Sequence, residues 1–374
     1  MQVEQFLQML KKAGIDTFAG VPDSTLSVLC AHLNQMDKKH HMCTVNEGAA
    51  VGVAAGHYLS TGKPACVYMQ NSGLGNAINP MASLTHADVY EIPVLYLIGY
   101  RGKPGEKDEP QHVFQGRITL PQLDLMEIEH AVLSPATDTE EILMLMERCM
   151  TNLRQKKSFA FVIEKGTFKS DLSYDYQNSY TFIRESAIRV LAEEVRKEDV
   201  LVSTTGKISR ELYEQLDSIK GCHDQAFLTV GSMGHASMIA AGMAHSFPEQ
   251  RIICLDGDGA ALMHMGSLAF IAQQQLKNFV HIVLNNGAHE SVGGMPTSAC
   301  ELSIADVARS CGYQYAETIR EEAGFKNLLQ RLDKLPKPCM IEVLVSMCSR
   351  SDLGRPKETP TDNKLQFMKR NEVL

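Results

Sequence analysis

The chain has 374 residues, 44% of them hydrophobic and 21% charged, enough for two domains that each bury a core of their own. Lysine and arginine number 36 against 44 aspartates and glutamates, a formal net charge of −8, so there is no global basic field to hold a nucleic-acid backbone or an anionic bilayer. No apolar run approaches the ~18 residues of a membrane helix, and Met1 to Lys11 has neither a basic nor a continuous apolar signal region, so a soluble, cytoplasmic protein is expected.

From residue 14 to about 165, short β-branched or aromatic runs alternate with segments of helical period. The predicted strands are Thr17–Ala19, Cys43–Val45, Ala65–Met69, Val94–Ile98 and Phe159–Ile163, with helices over Leu26–Met36, Ala49–Ser60 and Thr139–Leu153 between them. Such alternation is the signature of βαβ units on a parallel sheet. Residues 166–181 are polar and without period, and predict a linker whose tyrosines (Tyr174, Tyr176, Tyr180) lie on a domain surface. Alternation restarts with a helix from Ile183 to Arg196, strand Val200–Ser203, a helix near Ile208–Leu216, strand Arg251–Leu255, helix Leu262–Leu276, strand Val280–Leu284, a helix near Ile304–Cys311 and strand Met340–Val345. The expected architecture is α/β: two similar doubly wound parallel-sheet domains over 1–165 and 182–345. Residues 346–374 are charged, contain Pro356 and Pro360, and are expected as a surface tail or arm. The ten cysteines include no Cys-x-x-Cys pair and most sit in apolar segments, which points to neither a zinc site nor a disulfide framework.

The most informative segment is Asp256-Gly257-Asp258-Gly259-Ala260-Ala261, between an apolar strand and a helical run. Glycines at such a junction let backbone N–H groups approach a phosphate, and a carboxylate there holds a bridging cation. Asp-Gly also occurs in ordinary turns, but Asn285-Asn286 ends the next strand and returns to the same carboxyl edge of the sheet, where ligands of open α/β sheets bind. Asp258 and Asn286 stand one crossover apart and offer oxygen ligands to a hard cation.

Together these segments resemble the thiamine diphosphate-dependent enzymes. The resemblance implies that the cofactor is thiamine diphosphate with Mg2+, that the diphosphate meets Gly257, Gly259 and Ala260, and that the cation is held by the side chains of Asp258 and Asn286 and the backbone carbonyl of Ala288. The crossover is about one residue longer than in many relatives, so Asn285 remains beside Asn286 as a candidate ligand, with Asn286 preferred. Asn46-Glu47-Gly48-Ala49-Ala50 resembles the family's glutamate segment, which makes Glu47 the carboxyl beside the cofactor's pyrimidine N1′. Gly231-Ser232-Met233-Gly234 resembles the segment under the cofactor's bend, with Met233 as the apolar wedge. Gln70-Asn71-Ser72-Gly73 resembles a glycine-rich loop of the pyrimidine half, giving Gly73 a cofactor contact. By this resemblance residues 1–165 bind the pyrimidine and 182–345 the diphosphate, no third domain intervenes, and the active form is a homo-oligomer with sites shared between chains.

The segments Gly20-Val21-Pro22-Asp23-Ser24, Arg101 to His112, Thr204 to Leu212 and Gly287 to Gly294 resemble those members that decarboxylate 2-oxo acids bearing a second anionic group on C3. A substrate of that kind needs a local cationic pocket inside a net acidic protein. Candidates by chemistry are His112, Lys207, Arg210 and His289, with Arg101, Lys103 and His235 beside them; His112 is also given a catalytic role. The stretch from Arg101 to Arg117 is expected as a long substrate loop or lid. A nucleotide-binding oxidoreductase is disfavoured, because no Gly-x-Gly-x-x-Gly follows the first strand.

Overall fold

The computed structural model describes residues 1–172, 176–292, 294–347 and 349–374. Tyr174 of the expected linker, Gly293 of the quoted motif and Cys348 lie outside the described residues. The chain forms two compact units, one of Met1–Asp175 with His289–Met295, the other of Tyr176–Ala288 with Pro296–Leu374.

The first unit contains α1 (Val3–Lys12), β1 (Phe18–Gly20), α2 (Ser27–Leu33), β2 (His41–Cys43), α3 (Glu47–Thr61), β3 (Ala65–Gln70), α4 (Leu74–Pro80), β4 (Val94–Gly99), α5 (Pro110–Leu125), β5 (Glu129–Leu133), α6 (Thr139–Arg154) and β6 (Phe159–Ile163). Its six strands are parallel and ordered β2-β1-β3-β4-β6-β5. Alternate residues of β4 serve opposite cores. Leu95 and Leu97 pack with Phe6, Leu29 and Phe161, while Tyr96 and Ile98 pack with Val51, Ala54 and Val67. A strand buried on both faces reads as a continuous apolar run, which is why β3, β4 and β6 stand out in the sequence.

The second unit repeats the plan with α7 (Arg184–Glu194), β7 (Val200–Ser203), α8 (Lys207–Lys220), β8 (Ala226–Leu228), α9 (Ala236–Ser246), β9 (Ile252–Gly257), α10 (Asp258–Met263), α11 (Gly266–Gln273) and β10 (Phe279–Asn285). There follow the two-residue strands β11 (Ala288–His289) and β12 (Met295–Pro296), then α12 (Ile304–Cys311), β13 (Tyr315–Ile319), α13 (Glu322–Gln330), β14 (Cys339–Leu344) and α14 (Pro360–Arg370). Its sheet is ordered β13-β14-β10-β9-β7-β8, again with parallel pairs. Leu201, Ile253, Leu255 and Ile282 pack on one face with Ile188, Leu212 and Leu216 of α7 and α8.

Several expectations need correction. The expected loop from Arg101 to Arg117 is helical from Pro110, so His112 and Arg117 lie in α5. The buried face of α5 is Gly116, Thr119 and Leu123, with prolines at 110 and 121, and shows no apolar period to read. The expected helix Leu262–Leu276 is two helices, α10 and α11, parted at His264 (φ −131°, ψ 48°). The strand expected at Cys43–Val45 lies at His41–Cys43. Residues 346–374, expected as a tail, carry α14. Thr359 caps it reciprocally with Asp362, and Pro360 occupies its first turn. Asn363 then closes the open edge of the sheet: its Nδ2 donates to Ala226 O at 3.1 Å and its Oδ1 accepts from Leu228 N at 3.0 Å. One side-chain amide thus takes the place of a neighbouring strand along β8. Among the described residues no helix is long and apolar enough to cross a membrane.

Candidate active site

In the first unit, Asn46 caps α3 by accepting from Ala49 N at 2.8 Å, and this places Glu47 in the first helical turn. Glu47 is only 5% exposed. Its Oε2 accepts from Asn76 Nδ2 of α4 at 2.8 Å, and burial pushes its carboxyl above the ordinary glutamate range despite that donor. Gly73 has a steric role here. A Cβ on it would lie 2.4 Å from Glu47 Oε1, so the bare glycine makes the space that the carboxylate occupies.

A second buried acid stands nearby in sequence order. Asp23, fully buried, accepts from Gln70 Nε2 at 2.6 Å and from the N–H groups of Thr25 and Leu26 at 3.0 and 3.2 Å. Desolvation pushes its carboxyl up. The quoted segment Gly20 to Ser24 contains it, but no role was read from it; its signal is a lone acid inside an apolar strand end.

Arg101 and Lys103 are committed to structure. Arg101 grips Asp108 with Nε and Nη2 at 2.8 and 2.5 Å and reaches Ser24 Oγ with Nη1 at 2.9 Å. The guanidinium holds the Asp108 carboxyl well below the usual range. Lys103 Nζ lies 2.6 Å from Glu164. Gly102 and Gly116 let the loop lie directly on α5, since a Cβ on Gly102 would meet His112 O at 1.8 Å. His112 is half-buried, its Nδ1 has no hydrogen-bond partner, and burial with the Arg101 charge lowers its pKa. His289 is lowered by burial to about 4. Burial disfavours the charged form of both rings. Of the cations expected beside the substrate, Arg101 and Lys103 are thus held in ion pairs with Asp108 and Glu164.

In the second unit, β9 and β10 pair in parallel with Leu284 opposite Gly257, which brings Asp258 and Asn285-Asn286 to the same sheet edge. Asp258 is 4% exposed and its carboxyl is pushed up to about 6 by burial, against hydrogen bonds from Thr297 and from backbone N–H groups of Gly259 and Asn286. Thr297 Oγ1 donates to Asp258 Oδ2 at 2.5 Å. The two asparagines have different employment. Asn285 donates through Nδ2 to Glu342 Oε1 at 2.8 Å and accepts from Gly287 N at 2.9 Å. Asn286 Oδ1 accepts from Ala288 N at 3.0 Å, and Asn178 Nδ2 holds its carbonyl at 2.8 Å. Glu342 also receives the N–H groups of Ile304 and Ala305 at the start of α12 and the Thr318 hydroxyl, so it anchors the Asn285 amide.

A carboxylate, an amide oxygen and a backbone carbonyl form a donor set for a hard divalent cation. A buried carboxyl whose ionisation is penalised is what such a cation would relieve. Gly231 (φ 72°), Ser232 (φ 47°) and Gly234 (φ 87°) form a left-handed turn tied to Thr205 Oγ1 through Gly231 N at 3.1 Å. Met233 stays partly exposed there. Gly234 admits close packing on α10, where a Cβ would meet His264 at 2.7 Å. Lys207 heads α8 with Nζ 2.6 Å from Ser349 Oγ, and Arg210 follows one turn later. Asp258, Gly257, Gly259, Ala260, Asn286 and Ala288 are thus gathered within the second unit, while Glu47, Gly73 and His112 belong to the first. Thr297 and Glu342 escaped the sequence reading, since no local pattern marks a hydroxyl 39 positions from its acid.

The chain is similar to known proteins. The thiamine pyrophosphate enzyme N-terminal TPP binding domain matches residues 2–128, and the C-terminal TPP binding domain matches residues 206–343. Phosphonopyruvate decarboxylase of Streptomyces viridochromogenes is 34% identical over 371 residues, covering 95% of this chain and 91% of the relative. Phosphonopyruvate decarboxylase of Streptomyces hygroscopicus is 33% identical, covering 98% of this chain and 93% of the relative. Sulfopyruvate decarboxylase of Methanosarcina acetivorans is 27% identical, covering 91% of this chain and 90% of the relative.

Proposed function

The chain belongs to the thiamine pyrophosphate enzymes, and we propose that within this family it is a carboxy-lyase converting 3-phosphonopyruvate to phosphonoacetaldehyde and carbon dioxide, a step of phosphonate biosynthesis in the cytoplasm. The observation that carries this reading is the near-complete mutual coverage of the two phosphonopyruvate decarboxylases at 33% and 34% identity. A sulfopyruvate decarboxylase also matches end to end, at 27%, and sulfopyruvate is accordingly the competing substrate.

Bound thiamine diphosphate supplies the sink for the electrons left when the carboxylate departs as carbon dioxide. On this reading Asp258 and Asn286 hold Mg2+ with their side chains and Ala288 with its carbonyl, while backbone groups of Gly257, Gly259 and Ala260 meet the diphosphate. Gly231, Ser232 and Met233 form the seat of the cofactor's bend, the left-handed turn presenting a partly exposed methionine. Glu47 would be the carboxyl at the pyrimidine N1′, and burial, by raising its pKa, favours a proton shared with that nitrogen. Gly73 clears the space for that carboxyl.

Phosphonopyruvate carries roughly three negative charges near neutrality if its phosphonate ionises like a phosphate monoester, with a second pKa of about 6. Lys207 and Arg210 supply positive charge to that anion, and His112 and His289, whose charged forms burial disfavours, supply N–H donors, His112 also handling a proton during turnover. The active form we propose is a homo-oligomer whose sites are shared between chains. Steady-state turnover of phosphonopyruvate, sulfopyruvate and pyruvate in parallel, with thiamine diphosphate and Mg2+, tests the assignment. Phosphonopyruvate is expected to have the highest kcat/KM and pyruvate the lowest; a faster reaction with sulfopyruvate would transfer the assignment to the sulfonate.

A further inference from the structure

The two arms proposed to hold the cation, Asp258 at the end of β9 and Asn286 with Ala288 after β10, are separate loops. Thr297 bonds to both. Its hydroxyl donates to Asp258 Oδ2 at 2.5 Å, and its backbone N–H donates to Gly287 O at 2.8 Å, in the middle of the second arm. Thr297 Oγ1 also accepts from Ala299 N at 3.3 Å, capping the short turn Ser298–Cys300 and so fixing where the hydroxyl points. Thr297 is 4% exposed, so these bonds do not compete with bulk water. The second arm is braced from its other side, where Asn285 accepts from Gly287 N and donates to the buried Glu342.

We propose that Thr297 is a positioning residue for the divalent cation: through its hydroxyl and its N–H it sets the distance between the two ligand arms and the rotation of the Asp258 carboxyl. This rests on the assignment of Asp258, Asn286 and Ala288 as the cation's ligands. A neutral hydroxyl suits the task. It orients the carboxylate and stabilises its charge, yet adds no positive charge to compete with a cation, as a lysine or arginine would. Partners of this kind behind metal ligands contribute 10- to 100-fold to metal affinity or activity.

The test is the Mg2+ concentration that half-saturates thiamine diphosphate binding, measured by calorimetry, set beside kcat at saturating Mg2+. Thr297→Val keeps the shape of the side chain and deletes the hydroxyl; Thr297→Ser keeps the hydroxyl and deletes the methyl. The valine variant is expected to need about 10- to 100-fold more Mg2+, with kcat at saturation close to the parent's, and the serine variant to stay near the parent on both readings. If the valine variant does not fold, Thr297→Ala against Thr297→Ser provides the same contrast. Equal losses in the variants with and without the hydroxyl would reduce Thr297 to a packing role and overturn the proposal, as would an unchanged Mg2+ requirement without the hydroxyl. A parent enzyme that binds cofactor fully after exhaustive chelation would instead remove the cation assignment itself and the proposal with it.

Discussion

At the carboxyl end of its third strand, the first unit places Gln70-Asn71-Ser72-Gly73, whose glycine makes room for a buried glutamate; at the same address the second unit places Gly257-Asp258-Gly259, which presents a buried aspartate. The addresses correspond because the sheets do. Counted within its own sheet, and leaving aside β11 and β12, each unit runs second-first-third-fourth-sixth-fifth. The second strands lead to Glu47 at the head of α3 in one unit and to the left-handed turn Gly231–Gly234 in the other. The fourth strands lead to Arg101, locked onto Asp108, and to Asn285-Asn286, divided between Glu342 and the Asp258 edge. Topology therefore sets where chemistry can sit, at the carboxyl ends of parallel strands, but not what sits there. The first unit buries a glutamate whose charged form is disfavoured; the second gathers the oxygen donors proposed here for a cation.

Four experiments would break or sharpen that contrast. The largest effect is expected from Glu47→Gln, which should lower kcat by about 100- to 10,000-fold, the usual range for a positioned acid–base group, and steady-state kinetics at saturating cofactor would reveal it. Next, Gly73→Ala drives a methyl to within 2.4 Å of Glu47 Oε1; a displacement of ~1 Å can cost about 100-fold in turnover, and overpacking about 1–3 kcal/mol of stability. Turnover and thermal midpoint measured together would register both. In the second unit, Lys207→Ala should lower kcat/KM for phosphonopyruvate about 10-fold more than for pyruvate, consistent with losing one charge-assisted bond; parallel losses on both substrates would remove Lys207 from the phosphonate site.

The smallest effect concerns pH. Asp258 has its folded carboxyl pushed up to about 6 from an ordinary value of 3.8. The folded, metal-free chain then keeps a proton that the unfolded chain has lost, so the stability this group contributes is present below pH ~4 and is lost as pH rises through about 6. The thermal midpoint of metal-free protein should fall more steeply from pH 4 to 6.5 than that of Asp258→Asn. Identical slopes would count against the buried acid.

Much of the fold was legible because β3, β4, β6, β9, β10 and β14 are buried on both faces and read as unbroken apolar runs. Edge strands were less so: β2 was expected at Cys43–Val45, two residues late. β5 exposes Glu129 and half-exposes its next three residues, and β8 has only three residues, too few for a pattern. α1 buries Val3, Phe6 and Leu10 but precedes the segment in which alternation was read, and α5 hides behind glycine, threonine and proline. Of the site, the residues in contiguous motifs were visible: Glu47, Gly73, the Gly257–Ala260 turn and Asn285-Asn286. The lowered pKa of His112 and His289 was not, because burial rather than residue type sets it. Thr297 and Glu342 act across 39 and 57 positions, distances at which sequence spacing carries no signal.

The division of labour between the units is tested most directly by titrating thiamine diphosphate, with Mg2+ present, into Glu47→Gln and Asp258→Ala in one calorimetric series and measuring turnover on the same samples. Glu47→Gln is expected to bind cofactor within a few-fold of the parent while losing nearly all turnover, and Asp258→Ala to lose binding itself. Loss of binding in Glu47→Gln together with retained binding in Asp258→Ala would contradict the account.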